Sequence, residues 1–325
     1  MRSVGNMGKQ HIIFLELVFF GLTFVYGGCP SAYKILPCKC EIDSEGKTII
    51  NCGNIQLEED LSSAMFAMKN QKIYMLQLES SSFMFFPDGL FMDLKVEVLK
   101  IKNSSIFSLG EGNTALTGLE DTLEELRVSD CTYVNNWVWS ELSKMKWLRT
   151  LEISGSNLLE LPNLNISHLP IEELNFKNNF FNELPFQAFK KFTKLKRFSF
   201  DYNNIIDIMR SMLPMPAKNL EAISLSYNKI KRLPINAFDQ MPALKYLYLG
   251  GNPMKTLNED VFKPVWNQLK MALFHSCPLV CDCQILWIPK SKQSKMVLIG
   301  GTCDSPMQLK DKRLTQLLPK HFPSC

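Results

Sequence analysis

The chain lacks the residues that most enzymes need. Its 325 residues include only four histidines. His11 lies near the start, His168 in a polar stretch, His275 at an outward position of a short apolar segment, and His321 near the end. None belongs to a nucleophile motif such as G-x-S-x-G, and no glycine-rich loop is present to cradle a phosphate. A hydrolase must bring a nucleophile, a base and an orienting group together. These residues offer no such set, so neither catalysis nor a cofactor is expected. An excess of one charge is also missing: 36 Lys and Arg stand against 32 Asp and Glu, for a net +4. Residues 1–27 hold two cations (Arg2, Lys9) and one anion (Glu16), so without them the net charge is +3. That is too mild to imply nucleic acid as a partner.

Long apolar runs are missing too. Spanning a bilayer takes about 20 apolar residues, and the longest run, Ile12 to Val25, is shorter and interrupted by Glu16. With its basic start and the small residues Gly27 and Gly28, the segment 1–27 reads as a secretory signal. No later stretch is expected to hold the protein in a membrane. What remains is 46% hydrophobic and 21% charged over the full chain, a composition that supports an extensive core and argues against disorder.

Ten cysteines are present, eight of them at the ends: Cys29, Cys38, Cys40 and Cys52, then Cys281, Cys283, Cys303 and Cys325. Behind an export signal such clusters mean disulfides. Each set of four allows three connectivities, and pairing within C-x-C is strained. Zinc favours C-x₂₋₄-C spacing, often with nearby His, so no metal is expected. Cys131 and Cys277 stand apart from both groups.

The body of the chain repeats. Nine segments place apolar residues at positions one, four and six and a small polar residue at position nine, beginning at Ile73, Val96, Leu123, Leu148, Ile171, Leu195, Leu220, Leu244 and Leu269. The intervals are 23, 27, 25, 23, 24, 25, 24 and 25 residues. In a strand, positions four and six face the same side. One repeat cannot bury that face alone, whereas stacked repeats merge their inward side chains into one core. The ninth position reads Ser81, Ser104, Cys131, Ser156, Asn179, Asn203, Asn228, Asn252 and Cys277. It marks a turn whose backbone groups need internal partners. Asn offers donor and acceptor together, and Ser or Cys offers less, so the first four repeats are expected to be less regular than repeats five to eight. Beyond the turn, Leu161-Pro162, Leu184-Pro185 and Leu233-Pro234 recur, with Phe189, Phe238 or Phe262 following in several repeats as core residues.

From Ile73 to Pro278 the sequence resembles the extracellular leucine-rich-repeat family, for which L-x-x-L-x-L-x-x-N/C is diagnostic. The resemblance implies an α/β solenoid, a horseshoe of about nine repeats with a parallel sheet on its concave face and a disulfide-bonded cap at each end. The expected division is a signal peptide at 1–27, an N-terminal cap at 28–72, repeats at 73–268, and a last repeat with the C-terminal cap at 269–325. In both caps the family pattern favours first-with-third and second-with-fourth pairing: Cys29–Cys40 with Cys38–Cys52, and Cys281–Cys303 with Cys283–Cys325. Cys131 and Cys277, at ninth positions six repeats apart or about 29 Å at 4.8 Å per strand, are then free thiols. The opening Cys29-Pro30, Ile35-Leu36-Pro37-Cys38-Lys39-Cys40 and Ile49-Ile50-Asn51-Cys52 is also similar to secreted arthropod proteins related to the non-catalytic subunit of Oplophorus-type luciferase, which implies a non-enzymatic accessory role.

The function expected is that of a secreted, extracellular module binding a protein, with a catalytic subunit or a receptor among the candidates. An extracellular-matrix or structural role is one alternative, and immune recognition of a microbial glycan or lipid is another. Positions three, five, seven and eight flank the buried residues and face outward. In the first five repeats they are largely charged or small polar, as at Lys100, Lys102, Glu125, Arg127, Glu152, Glu173 and Lys177. From repeat six they hold Tyr202, Tyr227, Tyr246, Tyr248, Met271, Leu273 and His275, with Arg197 and Asp201 at the boundary. This amphipathic patch is the expected binding surface. The competing expectation is that the C-terminal cap folds over repeat nine and buries Met271 and Leu273. Asn103 and Asn165 are the glycosylation acceptors of the sequence.

Overall fold

The computed structural model describes residues 28–110, 112, 114–161, 164–291 and 296–325. The expected signal at 1–27 and Pro162 lie outside the described residues. The strands are β1 (Lys39–Ile42), β2 (Thr48–Gly53), β3 (Lys72–Glu79), β4 (Ser82–Phe83), β5 (Lys95–Lys102), β6 (Ser105–Ile106), β7 (Glu125–Ser129), β8 (Thr150–Ser154), β9 (Glu173–Asn175), β10 (Arg197–Ser199), β11 (Ala222–Ser224), β12 (Tyr246–Tyr248), β13 (Met271–Leu273), β14 (Leu279–Val280), β15 (Leu298–Gly300) and β16 (Cys303–Ser305). Twelve of them form one sheet in the order β1-β2-β3-β5-β7-β8-β9-β10-β11-β12-β13-β15. Only the β1–β2 pair is antiparallel, and the two edge strands do not meet, so the sheet is open.

Every predicted segment carries one strand, in the predicted register. Third-position residues pair in a continuous row: Met75, Val98, Glu125, Thr150, Glu173, Arg197, Ala222, Tyr246 and Met271. Fourth- and sixth-position side chains, such as Leu174 with Phe176 and Phe198 with Phe200, are buried in a single core. On the far side Phe189, Phe238 and Phe262 are also buried. Phe189 meets Phe198 edge-on at 4.9 Å, which is the geometry aromatic quadrupoles favour.

Two strands join the row without fitting the template. β2 sets Ile49 opposite Met75, yet its first position is Lys47 and its ninth is Ile55. β15 sets Leu298 opposite Met271, yet its sixth position is Gly301 and its ninth is Asp304. Each covers an end of the core that would otherwise be open.

The ninth position divides the molecule. Asn203 Nδ2 donates to the carbonyls of Phe176, Phe200 and Asp201 at 3.0, 3.0 and 3.1 Å, while its Oδ1 accepts from Phe181 N–H at 3.1 Å. Asn179, Asn228 and Asn252 repeat the pattern. Ser104, in contrast, donates only to Lys102 O and accepts from Ser81 N–H. After Ser81 and Ser104 the chain stays extended and pairs again, forming the small parallel sheet β4–β6. The eighth position is left-handed in all nine repeats, from Ser80 to Ser276, with φ between 47° and 68°.

Along the second position, charges alternate in sign from repeat three to repeat eight. Arg149 reaches Glu124 at 3.8 Å and Glu172 at 3.1 Å, Lys196 reaches Glu172 at 2.8 Å, and Lys245 reaches Glu221 at 3.1 Å.

Both caps carry the connectivity implied by the resemblance: Cys29–Cys40, Cys38–Cys52, Cys281–Cys303 and Cys283–Cys325. Cys131 and Cys277 are free and buried. Among the described residues, no helix is long and apolar enough to cross a membrane.

Candidate functional site

The outward face of the sheet has two halves. In repeats three to six its charges satisfy one another. Arg127 sits 2.9 Å from both Glu125 and Glu152, Lys177 lies 3.8 Å from Glu152, and Arg197 Nε donates to Glu173 at 2.9 Å. Arg197, expected at the patch boundary, is therefore bound within the sheet face. Asp201 is also engaged: Ser224 Oγ donates to both of its oxygens, at 2.6 and 2.7 Å, and Ser226 N–H to one of them at 2.6 Å. Burial pushes its carboxyl above the usual range, against those hydrogen bonds. Asp201 thus fixes repeats six and seven together beneath the tyrosines.

From repeat six the face turns aromatic. Tyr202 and Tyr227 occupy consecutive eighth positions at φ 54° and 56°, and both are exposed. Their rings stack with centroids 4.4 Å apart and planes within 7°. The next repeat has Gly250 and Gly251 here, and the space these glycines leave is filled by neighbours. A Cβ on Gly251 would meet the ring of Tyr227, and one on Gly250 would come 2.6 Å from His275 Cε1. His275 settles 6.0 Å from Tyr227, so the three rings form one ledge across four repeats. Beside it, Tyr246 pairs with Met271 and Tyr248 with Leu273 across adjacent strands, all half-buried.

Among the described residues, the C-terminal cap does not bury this patch: Met271 and Leu273 stay half-buried. Instead β15 adds edge-on, so Met271 and Leu273 keep one side open, and Leu298, 59% exposed, continues the row of Tyr246 and Met271. The expectation that the cap buries the two residues is thereby corrected. The sequence reading missed Leu298 and the Gly250–Gly251 trough. The apolar run Met296 to Ile299 held a signal for the first of these, but it broke off at Gly300 and Gly301. Asn103 and Asn165 are both exposed, at φ 47° and 44°.

A leucine-rich-repeat model matches residues 218–265. Over 336 residues the chain is 21% identical to the Oplophorus-luciferin 2-monooxygenase non-catalytic subunit of Oplophorus gracilirostris, covering 90% of this chain and 87% of that one. Mouse Tsukushi is 26% identical over 181 residues, 54% of this chain. That match spans about half of Tsukushi, 47%. In solved structures, a chain of the octameric complex of Latrophilin 3, Unc5D and FLRT2 superposes with a TM-score of 0.62 at 19% identity, covering 89% of this chain and 98% of its own. The fold is that of a leucine-rich-repeat solenoid. Within this leucine-rich-repeat frame, the aromatic ledge is the part of the sheet face whose side chains are not already taken up by one another's charges.

Proposed function

We propose that this leucine-rich-repeat protein acts outside the cell as a non-catalytic binding module, taking a protein partner on the concave face of repeats six to nine. The observation that carries this reading is the Tyr202–Tyr227 stack. A left-handed backbone costs a non-glycine residue about 1–2 kcal/mol, with Asn and Asp the tolerated exceptions, and the neighbouring repeats use Asn178 and Gly251 there. Selection for stability alone favours Asn or Gly in both places. Two exposed tyrosines supply rigid contact area with hydroxyl tips, the composition of interface hot spots.

A second reading is supported by the near full-length match to a non-catalytic subunit: the partner is a separate catalytic chain that this protein accompanies. Both readings make the ledge the contact surface.

The test is affinity capture from the native fluid with the wild type and the Tyr202→Asn/Tyr227→Asn variant as baits. Asn suits the left-handed backbone, so the variant should fold at least as well. The captured protein should bind it about 30-fold more weakly, equivalent to about 2 kcal/mol. Equal capture by both baits would remove the ledge as the site, and no captured protein at all would remove the reading.

A further inference from the structure

Charge is distributed unevenly along the solenoid. Residues 28–228 carry 20 Lys and Arg against 25 Asp and Glu, a net −5, whereas residues 229–325 carry 14 against 6, a net +8. The ion pairs follow the same division. Among the described cations from Lys229 onward, only Lys245 has a carboxylate within ion-pair reach, Glu221 at 3.1 Å. Lys231 and Lys255 are both twelfth in their repeats, seven and eight, and so sit side by side on the loop side, with Arg232 next to the first. All three are exposed. Lys255 O accepts from Val280 N–H at 2.8 Å, and Val280 lines a cleft of about 870 Å³ in the C-terminal cap. The row of cations therefore leads into that cleft.

Lys312, Lys320 and His321 line the cleft, along with one acidic side chain, Asp282. Asp282 already accepts from Gln284 N–H at 2.9 Å. His321 Nδ1 accepts from Leu318 N–H at 3.1 Å, while Lys312 Nζ approaches Nε2 at 3.3 Å. A neutral imidazole has one acceptor nitrogen and one N–H. With Nδ1 as the acceptor, Nε2 carries the hydrogen and confronts the ammonium donor to donor. An anion oxygen between them gives both a partner. Burial, then Lys312 and Lys320, hold this imidazole below its usual range, and a bound anion would reverse the effect of the lysines.

We propose that the loop side of repeats seven and eight and the C-terminal cap form a binding track for a sulfated polysaccharide, with Lys312, Lys320 and His321 holding one sulfate and Lys231, Arg232 and Lys255 continuing the contact. The cations are spread along the track, which suits a chain of regularly spaced charges better than a single small anion. Four disulfides belong to an oxidising compartment, where long polyanions are sulfated glycans rather than nucleic acids. The aromatic rings of the cap, Trp287 and Phe322, are buried, leaving them unavailable to stack on bases. The track is separate from the tyrosine ledge and does not depend on it.

The experiment titrates the full chain with a heparin oligosaccharide, its desulfated counterpart, duplex DNA of matched charge and phosphatidylserine vesicles, all at physiological salt. Heparin oligosaccharide should bind at least tenfold more tightly than any of the others. Lys312→Glu/Lys320→Glu should weaken it at least tenfold, and Lys231→Glu/Lys255→Glu, outside the cap, should also weaken it if the cap variant proves misfolded. Lys190→Glu/Lys191→Glu, an equal charge change in repeat five, should alter it less than twofold. Equal binding of desulfated oligosaccharide, tighter binding of DNA or vesicles, or a matching loss in the repeat-five variant would overturn the proposal.

Discussion

The ring of Tyr227 is held between Tyr202, at 4.4 Å with planes 7° apart, and the bare backbone of Gly251. The tyrosine has this position because the next repeat has no side chain. Gly251→Ala should therefore displace the ring as well as strain a backbone at φ 68°, costing about 1–2 kcal/mol. Thermal unfolding measures the cost, and tyrosine fluorescence or NMR ring shifts report the displacement. An unchanged ring environment would mean the trough does not set the ledge.

Asn203 makes four hydrogen bonds that tie repeats five and six, where Ser104 makes two. Asn203→Ala strands buried carbonyls and should cost about 3 kcal/mol, against about 1 kcal/mol for Ser104→Ala. Denaturant midpoints at constant m-value give both numbers. Equal costs would refute the division between asparagine and serine rungs.

Glu141 is buried, accepts one hydrogen bond from Leu116 N–H at 3.1 Å, and leaves its other oxygen without a partner. Burial pushes its carboxyl above the ordinary value of 4.5, the Leu116 N–H opposing. The folded state then holds this proton more tightly than the unfolded chain. Its contribution to stability is present below pH 4.5 and is lost as pH rises through the raised value. Glu141→Gln should remove that loss and raise stability at pH 7 by about 1 kcal/mol. Glu172, held below the usual range chiefly by the Lys196 hydrogen bond, behaves oppositely and loses its contribution on acidification. Unfolding curves of both proteins from pH 4 to pH 8 should converge at the acid end.

Cys131 and Cys277 are buried thiols, and burial pushes Cys131 up to about 11. Since the thiolate is the reactive form, iodoacetamide at pH 8 should label neither cysteine in the folded protein and both after unfolding without reductant. Labelling of a cap cysteine in that second step would contradict the disulfide assignment.

The repeat register was legible because position fixes burial: Leu76, Leu126, Leu174 and Leu247 occupy the same slot, and each is buried. The cap pairings were legible by resemblance, since three connectivities were open on spacing alone. The strand at Leu298 was not legible. A capping strand buries one face only and can abandon the sixth and ninth positions of the template. Nor was the aromatic ledge fully legible, because it depends on absent side chains at Gly250 and Gly251 that a search for contact residues passes over. Arg197 and Asp201 are legible as outward-facing residues from their positions, but their partners in adjacent repeats, Glu173 and Ser224, become evident only once the strands are side by side.

The alternation of sign along the second position also bears on how such a protein can change length. Removing repeat six would set Glu172 beside Glu221, and removing repeat seven would set Lys196 beside Lys245. Removing both would place Glu172 beside Lys245 and restore opposite neighbours. Each surface pair is worth only about 0–1 kcal/mol, yet losing any one of repeats four to seven exchanges attraction for repulsion. Within those four repeats only a change of two at a time keeps opposite charges adjacent, so the charge row acts there as a parity check on repeat number.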